Sequence, residues 1–326
     1  MINNTKNHHF VSQVEQRMNS INSDISKNNQ RIYSFSITDR EKYEVELDSE
    51  NGVKIRENLS FDDLFTIEVI DSSLRANLED AFGRYETNLS KLTDSLLSKI
   101  KAKDSNISNE LLNIFALKFI NTFRNPFCIE KTLNTIGLLS KHIPTDKKLN
   151  NHYSKIDTSN AISIRKYAQK FNVTEAQYRE WLKCLFMLLI PKKVNDDRFI
   201  DQFIKDFFTE RKNSINILIS TYSERFSSVL LSDRSFTFFE DPKGHIVYEF
   251  NLTSNTFISY IFTDLTKFIK NKRILNSILK FNSEVKPDVR VNYRTDALDL
   301  LSAYNKRVVY QSFNTVYCKN QKIYGL

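Results

Sequence analysis

Residues 215–219 read Ile-Asn-Ile-Leu-Ile, and at this stretch the hydrophobic pattern of the 326-residue chain changes. Before it, apolar residues recur every three or four positions, as they do on the buried face of a helix. After it come short runs rich in Ile, Val, Phe and Tyr, which are typical of strands. The change predicts an α+β fold in which a helix-rich middle precedes a mixed, largely antiparallel C-terminal sheet.

Strand signals continue from this stretch toward the C-terminus. Asp241-Pro242-Lys243-Gly244 separates two of them and predicts a hairpin turn. Helices are expected among the strands at 264–280 and 295–304. The further strands are expected at 228–231, 236–239, 245–250, 257–262 and 307–313.

The helical middle is predicted from periodic apolar residues and from stop signals. Spaced Leu, Phe and Ile residues at 74–100 predict one long helix. A helix at 108–124 is expected to stop there, because Pro126 disfavours helix at the residue before it. The Lys-rich segment 141–155 is expected to be a charged loop, with phosphate contacts as the alternative. Further helices are expected at 127–140, 161–171, 174–190 and 197–212, the third of them with a capping box at its start.

The N-terminal residues 1–56 are expected to form a small α/β entry to the fold. Alternating polar and apolar residues at 30–37 and 43–47 predict a pair of strands, and Asn51-Gly52 predicts the turn that follows. A short helix is expected at 11–18. Because a two-stranded sheet is marginal by itself, it must pack on the rest of the chain. We therefore expect one compact domain over residues 1–326, with sub-regions at 1–56, 57–213 and 214–326.

The chain is basic. It carries 47 Lys and Arg against 39 Asp and Glu, which gives a formal net charge of +8 and an isoelectric point near 9.1. A positive excess favours partners that carry phosphate, nucleic acid above all. The alternative is an ordinary solvated surface in a Lys- and Asn-rich protein. The 25 Phe and 14 Tyr also suit a protein partner, because aromatic side chains are enriched at interfaces. The oligomeric state is left open.

The sequence predicts a cytoplasmic protein with no membrane partner. No apolar run reaches the roughly 18 residues that a membrane-spanning helix needs. The longest run, at 184–190, is followed by Pro191 and is expected to be a core helix. The first residues lack the basic and apolar regions of a secretory signal. Cys128, Cys184 and Cys318 are odd in number and lack metal-binding or redox spacing, which favours a reducing compartment.

His8 and His9 are the first candidates for chemistry. Imidazole titrates near neutral pH and suits a metal ligand or a general acid or base. Adjacent side chains point to opposite faces of a strand and diverge by about 100° on a helix. We therefore expect only one of the two histidines to enter a site. The alternative is a solvated leader.

Asp233 and Arg234 form a second candidate pair, directly after the apolar run at 229–231. Side chains at strand ends are commonly aimed into a cleft. Asp233 is expected to bind a divalent metal (Mg²⁺ or Mn²⁺) together with His9, to activate water or to orient a histidine. Arg234 is expected to pair with phosphate. The alternative is a strand-end turn in which the aspartate caps the backbone.

Arg124 closes the helix at 108–124, next to Asn125 and Pro126. It is expected to neutralise phosphate charge, and the alternative is that it complements the negative end of its helix. The sequence contains no Gly-rich phosphate loop, no Gly-x-Ser-x-Gly elbow and no His-Glu-x-x-His zinc helix. These residue types therefore indicate a site without fixing its reaction.

Three polar motifs follow one another along the chain in a fixed order. They are His8-His9-Phe10-Val11-Ser12-Gln13 with Arg17, Arg124-Asn125-Pro126, and Leu231-Ser232-Asp233-Arg234-Ser235-Phe236. In this order, over residues 7–313 or so, they resemble the Domain of Unknown Function 4238 family. That family opens with roughly His-His/Tyr-Val-Pro-x-Phe-Tyr-Leu-Arg and continues with an Arg-x-Pro and a Ser-Asp-Asn-Pro element. Ser12 stands where the family has proline, and Arg234-Ser235 stands where Asn-Pro is typical.

The resemblance implies a mostly bacterial, cytosolic protein without an assigned activity. It strengthens the expectation of a site, because the matching elements are polar and widely separated in the chain. It favours a site shared by Asp233 and either His8 or His9.

Two functions from different classes follow. The first is a metal-assisted nuclease or phosphodiesterase that acts in antiviral defence or as a toxin. In it His8 or His9 is the base or ligand and Asp233 holds the metal, while Arg124 and Arg234 neutralise phosphate. The second is a non-enzymatic binding or sensor protein in which the same residues form a structural His/Asp/Arg network.

Overall fold

The computed structural model of the chain describes residues 2–69, 75–86, 88–159, 162–190, 198–210, 212–284 and 289–326. Within these residues the protein has an α+β fold. Small strand pairs at the N-terminus are followed by a helical middle and by a mixed, largely antiparallel C-terminal sheet. The fold class predicted from the sequence is confirmed.

The strands of the described residues are numbered β1 to β15 in chain order. They are β1 Ile2–Asn3, β2 Asn7–His9, β3 Arg31–Asp39, β4 Glu44–Leu47, β5 Val53–Lys54, β6 Ser60–Asp62, β7 Thr66–Val69, β8 Arg75–Asn77, β9 Asn213–Thr221, β10 Leu231–Ser232, β11 Thr237–Glu240, β12 His245–Thr253, β13 Thr256–Asp264, β14 Val289–Thr295 and β15 Thr315–Cys318.

The α-helices of the same residues are numbered α1 to α12. They are α1 Gln13–Arg17, α2 Glu79–Glu86, α3 Leu89–Lys101, α4 Ser108–Arg124, α5 Ile129–Ile136, α6 Lys147–Thr158, α7 Ile162–Lys170, α8 Glu175–Leu189, α9 Phe199–Thr209, α10 Leu265–Phe268, α11 Lys272–Glu284 and α12 Leu298–Gln311. None of the helices in the described ranges is long and apolar enough to cross a membrane.

The chain divides into two compact units that interleave in sequence. The first unit contains Met1–Val14 and Ile55–Gln202, and the second contains Glu15–Lys54 and Phe203–Leu326. The N-terminal strand β3 belongs to the second unit because it pairs with β15, close to the C-terminus. The division therefore differs from the sub-regions predicted at 1–56, 57–213 and 214–326. One compact domain over the whole chain stays a prediction.

The first unit holds two small antiparallel sheets and the helical middle. One sheet has the strand order β1-β8-β7, and the other pairs β2 with β6. The core is aromatic: the ring centroid of Phe65 lies 4.9 Å from that of Phe82 and 5.8 Å from that of Trp181. The indole N–H of Trp181 donates to the carbonyl oxygen of Phe123 at 2.7 Å, so this buried polar atom is satisfied.

The second unit holds two five-stranded sheets. The first has the order β10-β15-β3-β4 with β5 also paired to β3, and the second has the order β11-β12-β13-β9-β14. All pairs are antiparallel except β14 with β9, which makes the second sheet mixed. The turn before β5 uses Gly52 at a φ of +63°, where an added Cβ would lie 2.6 Å from the carbonyl oxygen of Ile32. The turn predicted at Asn51-Gly52 is confirmed, and its glycine is required.

The core of the second unit combines apolar packing with one buried ion pair. The rings of Phe257 and Tyr304 stack with centroids 4.2 Å apart. Beside this core Arg307 donates to both carboxylate oxygens of buried Glu249, over 2.7 and 2.8 Å. Glu249 also accepts the hydroxyl protons of Thr237 and Ser259, so its charge is fully hydrogen-bonded.

Several sequence predictions of secondary structure are wrong, among them the strand at 228–231, of which only Leu231 lies in a strand, β10. The single helix predicted at 74–100 is instead strand β8 followed by α2 and α3, and residue 74 lies outside the described residues. The loop predicted at 141–155 contains the start of α6, which Asp146 caps by accepting from the backbone N–H of Leu149. The strand predicted at 307–313 is largely the end of α12, and the strand that closes the sheet is β15.

Candidate functional site

His8 lies on β2 and is completely buried. Its Nδ1 accepts the backbone N–H of Phe65 at 2.9 Å, which requires the proton to be on Nε2. Nε2 lies 3.1 Å from the carbonyl oxygen of Thr5 and can donate to it. The ring also stacks on the ring of Phe65. Both nitrogens thus have partners within the first unit, and His8 ties β2 to the chain around Phe65.

His9 follows on the same strand and is also buried, with 5% of its surface exposed. Its Nδ1 lies 3.5 Å from the side-chain nitrogen of Gln13, a weak contact at the limit of a hydrogen bond. Its backbone N–H donates to the carboxyl group of Glu79. The alternative, a solvated N-terminal leader, is wrong for these two side chains, because both are buried.

Arg124 ends α4, and only 1% of it is exposed. Its Nε donates to the carbonyl oxygen of Phe10 at 3.1 Å, and its Nη1 donates to Glu86 Oε1 at 2.5 Å. The guanidinium carbon lies 5.0 Å from the ring centroid of Phe82, in cation–π contact. The remaining nitrogen, Nη2, is buried and has no hydrogen-bond partner in the described part of the chain. A buried guanidinium thus retains donor capacity.

Glu79 begins α2 and carries a strongly perturbed carboxyl group. Burial raises its pKa to about 8, with a smaller contribution from the negative charge of Glu86, while the charge of Arg124 lowers it. One carboxyl oxygen, Oε2, is buried without a hydrogen-bond partner among the residues that the structure describes. At neutral pH this carboxyl group is mostly protonated, and it can donate a proton as well as accept one.

We call His9, Glu79, Glu86 and Arg124 the Arg124 cluster. Glu79 and Glu86 are seven residues apart on α2, so both project from one face of the helix, with Phe82 between them. Glu86 is partly exposed, since 25% of its side chain reaches solvent. The cluster therefore brings together the protonated carboxyl group of Glu79, the carboxyl group of Glu86, the incompletely paired guanidinium of Arg124 and the backbone N–H of His9.

Asp233 lies in the second unit, in the turn after β10, and is buried. Its carboxylate accepts three successive backbone N–H groups, from Phe313 at 2.8 Å, Asn314 at 2.8 Å and Thr315 at 3.0 Å. Burial raises the pKa of Asp233, and these three hydrogen bonds lower it. The arrangement holds the connection between α12 and β15 in place, as expected for an aspartate that caps the backbone.

Arg234 is half-buried in the same turn. Its backbone N–H donates to the hydroxyl oxygen of Ser232 at 3.0 Å. Its Nε is buried and has no hydrogen-bond partner in the described ranges. The next residue, Ser235, has a φ of +69° and donates its hydroxyl proton to buried Glu15 at 2.8 Å. The turn is thus held by side chains of the second unit.

The five residues that the sequence singled out fall into two sets. His8, His9 and Arg124 belong to the first unit, while Asp233 and Arg234 belong to the second. A site shared by the histidines and Asp233 stays a prediction.

The residues predicted to bind a metal ion were Asp233 and His9. Within the described residues, no group of three or more His, Cys, Asp or Glu side chains is placed to hold a metal ion. The three backbone N–H groups that Asp233 accepts occupy three of the roughly four lone-pair sites of its carboxylate. The geometry at Asp233 therefore favours the capping alternative.

Sequence reasoning missed Glu79 and Glu86. The residues of α2 are interpreted there only as a stripe of apolar core positions. A signal was present: Glu79, Phe82 and Glu86 recur at three- and four-residue spacing, which puts two carboxyl groups on the buried face of a helix. Acidic residues on such a face require a cationic partner, and Arg124 is that partner.

A cleft of about 410 Å³ lies elsewhere, in the second unit. Apolar and charged side chains line it, among them Phe207, Phe262, Asp206, Glu210 and Lys212. None of the residues predicted from the sequence contributes to its wall. The Arg124 cluster is thus the stronger candidate for chemistry.

Comparison with known proteins gives no relative for this chain. No family model matches it, and no curated protein or solved structure is significantly similar to it. The resemblance to the Domain of Unknown Function 4238 family stays a prediction.

Proposed function

We propose that this chain is a phosphodiesterase, and specifically a nuclease, whose reaction takes place at the Arg124 cluster. One observation carries the proposal: Arg124 Nη2 and Glu79 Oε2 are both buried, and neither has a hydrogen-bond partner in the described residues. Buried polar groups normally have hydrogen-bond partners. Two buried polar atoms of a charged cluster that lack such partners therefore suit a bound ligand that supplies the missing hydrogen bonds.

A phosphate group fits the donors that the cluster offers. The guanidinium of Arg124 is planar and always charged, and such a group pairs well with phosphate oxygens. The protonated carboxyl group of Glu79 offers an O–H donor beside it. The side chain of Glu86 is 25% exposed, so we assign it to the side from which a phosphodiester enters.

The pKa of Glu79 suits a general acid. A carboxyl group with a pKa of about 8 keeps its proton at neutral pH and can transfer it to the leaving oxygen as the P–O bond breaks. His9, when neutral, can take a proton from the attacking water as its oxygen bonds to phosphorus. The products are then a phosphomonoester and an alcohol, and each proton is accounted for.

Metal assistance is part of the proposal only as a condition that the assay varies. The predicted roles in antiviral defence or as a toxin depend on which substrate is cleaved. The net charge of +8 supports a nucleic-acid substrate over a small neutral one.

The test is cleavage of labelled single-stranded DNA, single-stranded RNA and duplex DNA by the purified chain, in Mg²⁺, in Mn²⁺ and in EDTA. We expect cleavage of at least one substrate, and a loss of about 10²- to 10⁴-fold in rate in Glu79→Gln, because the amide cannot supply the proton. Arg124→Lys should also lose activity, because a lysine keeps the charge without the planar donors.

The matched controls are Glu57→Gln and Arg56→Lys, which alter an ion pair on the surface of the first unit. Both should cleave as fast as the unaltered chain. The proposal fails if no substrate is cleaved under any of the three conditions. It also fails if Glu79→Gln and Arg124→Lys fold and cleave at the original rate.

A non-enzymatic binding or sensor protein is the second candidate. It is supported by His8 and Asp233, whose acceptor atoms are engaged by backbone N–H groups as in a structural network. For this function the Arg124 cluster would bind an anion without breaking it. Binding of a non-hydrolysable phosphodiester analogue that depends on Arg124, without turnover of any substrate, would favour this candidate.

A further inference from the structure

The cleft of about 410 Å³ in the second unit lies between helix α9 and the end of the mixed sheet where β12 begins and β13 ends. Its lining residues come from α9, from the start of β9, from β12 and the turn before it, from the end of β13 and from α10. All of them belong to the second unit. Pockets that hold small molecules have volumes of about 300 to 1,000 Å³, so the cleft is large enough for one. We call it the α9 cleft.

The floor of the α9 cleft is apolar. Ile246 of β12 and Phe262 of β13 are directly paired across the two strands, so their side chains lie next to each other on one face of the sheet. Phe207 of α9 packs edge-on against Phe262, with ring centroids 5.0 Å apart. Phe203, one turn earlier on α9, also lines the cleft. An apolar ligand group therefore finds both aliphatic and aromatic surface here.

The wall formed by α9 adds negative charge to the aromatic rings. Phe203, Asp206, Phe207 and Glu210 are spaced by three and four residues, which puts them on one face of the helix. Two carboxylates four residues apart weaken a helix. Asp206 also lies in the last turn of α9 and Glu210 directly follows Thr209, its last residue, where the helix dipole favours cations. Residues placed against such local preferences commonly serve a binding site.

The opposite side of the cleft carries charges of both signs that balance one another. Asp264 accepts the backbone N–H of Thr266 at 2.9 Å and its hydroxyl proton at 2.6 Å. These hydrogen bonds, together with the positive charges of Lys212 and Lys267, lower the pKa of Asp264. The Nζ of Lys267 also lies 3.5 Å from Glu240 Oε1. Two lysines thus face two carboxylates, and the α9 wall is left as the side that selects the charge of a ligand.

We infer that the α9 cleft binds a small organic cation with an apolar body, such as an arylalkylammonium ion. The apolar body lies among Phe203, Phe207 and Phe262, and the faces of aromatic rings attract a cation that approaches them. Asp206 and Glu210 supply the opposite charge and accept the N–H groups of the ammonium. An anion of the same shape meets these two carboxylates and is repelled. The inference goes beyond the proposed function, and its evidence is separate from the Arg124 cluster, which belongs to the other unit.

The test is isothermal titration calorimetry of the full chain with two probes at neutral pH and low salt, where charges are least screened. Tryptamine is an aromatic ring with a short chain that ends in an ammonium group. Indole-3-propionate has the same ring and a chain of similar length that ends in a carboxylate. We expect tryptamine to bind with a Kd of about 1 mM or tighter. Indole-3-propionate should bind at least about tenfold more weakly, because two attractive contacts become repulsive.

Two variants and one control locate the binding. Asp206→Asn with Glu210→Gln removes both charges at nearly constant shape and should weaken tryptamine binding at least about threefold. Phe203→Leu keeps an apolar wall without the ring and should weaken it about 2- to 10-fold. The matched control, Glu41→Gln with Glu44→Gln, removes two exposed charges of the second unit outside the cleft. It should bind tryptamine within about twofold of the unaltered chain.

The inference is overturned if tryptamine does not bind the unaltered chain, or if indole-3-propionate binds as tightly or more tightly. The comparison of the two probes needs no variant, so it decides this point even where a variant fails to fold. Equal losses of affinity in the double variant of α9 and in the control also overturn the inference. Cleavage of nucleic acid plays no part in these measurements. Failure of the proposed function therefore leaves the α9 cleft standing, and failure here leaves the proposed function standing.

Discussion

Arg124 donates from Nη1 to Glu86 Oε1 at 2.5 Å, while its Nη2, equally buried, has no hydrogen-bond partner in the described ranges of the chain. The same guanidinium is therefore both anchored and incomplete. The anchored part, with Nε bound to the carbonyl oxygen of Phe10, fixes its position, and the incomplete part gives it a role in binding an anion. These two roles predict different effects of mutation.

Removal of the Arg124 charge should destabilise the protein. Arg124→Met leaves Glu86 and the carbonyl of Phe10 without their partner, and loss of one member of a buried ion pair costs about 3 to 5 kcal/mol. Because Glu86 is partly exposed, we expect the lower end of this range. Urea unfolding measures it, with Arg56→Met as the control for an exposed pair, expected to cost about 0 to 1 kcal/mol. Equal losses in the two variants would contradict the anchoring role.

Glu79 should make stability depend on pH. Its folded-state pKa of about 8 lies above the ordinary value, so the folded state holds a proton that the unfolded state has lost in this window. The contribution is fully present below the ordinary pKa and is lost as the pH rises toward 8, by up to about 1.4 kcal/mol per pH unit. The free energy of unfolding of the unaltered chain, minus that of Glu79→Gln, should therefore fall between pH 5 and 8. A flat difference would contradict the raised pKa.

His8 and His9 should separate stability from activity. His8→Ala leaves the buried N–H of Phe65 without an acceptor, a loss of about 1 to 3 kcal/mol besides the lost packing. His8→Asn should recover part of this, because its side-chain oxygen can take the place of Nδ1. His9→Ala should lower the stability less than His8→Ala does, and should lower the cleavage rate more. Thermal melting and the cleavage assay measure the three variants. If His9→Ala lost more stability and His8→Ala lost more activity, the roles assigned to the two histidines would be reversed.

Asp233 should behave as a structural residue. Asp233→Ala removes the buried acceptor of three part-buried backbone N–H groups, so we expect a loss of about 1 to 3 kcal/mol, whatever the concentration of Mg²⁺ or Mn²⁺. Asp241 is the control, since it also accepts two backbone N–H groups, those of Lys243 and His245, but in a more exposed turn. Asp241→Ala should cost about 1 kcal/mol or less, because water replaces the carboxylate. A metal-dependent loss confined to Asp233→Ala would instead indicate a metal ligand.

The Glu249–Arg307 pair offers a test of what holds the second unit together. Arg307→Met leaves a buried carboxylate with only two hydroxyl donors and should cost about 3 to 5 kcal/mol. The double variant with Glu249→Leu should recover much of this, because an apolar pair of similar volume needs no solvation. Chemical unfolding of the single and double variants checks the expectation. No recovery in the double variant would contradict it.

The helices with strong local signals could be predicted from the sequence. The capping box expected at the start of 174–190 is present at Thr174 and Gln177, and α4 ends at Arg124 before Pro126 as expected. In each case residues within one turn of the boundary decide it. At 74–100 several of the predicted apolar positions are buried, for example Phe82 and Leu96. The break at β8 was not identified, because that strand depends on pairing with β1 and β7.

Tertiary packing also overrode two local patterns. The β-branched Val308 and Val309 favoured a strand, but both are buried on α12 in a helical row with Leu301 and Tyr304. The Lys-rich residues at 141–155 favoured a loop, but Tyr153 and Ile156, three apart, provide a buried face for α6. The histidines, the aspartate and Arg124 were located by their residue types. Their partners were not, since the N–H of Phe65 and the carboxylate of Glu86 are distant in sequence.

The pairing of β3 with β15 sets an order for biosynthesis. The second unit needs residues from near both ends of the chain, so it cannot close until the ribosome has released Thr315–Cys318. The first unit has all of its residues by Gln202 and can fold while 15–54 wait for β15, with β3 able to pair with β4 and β5 in the meantime. During that interval the residues of β3 that later pair with β15 form an open edge. A premature stop before β15 would therefore release a chain with a finished helical unit and an exposed strand, a species prone to aggregate.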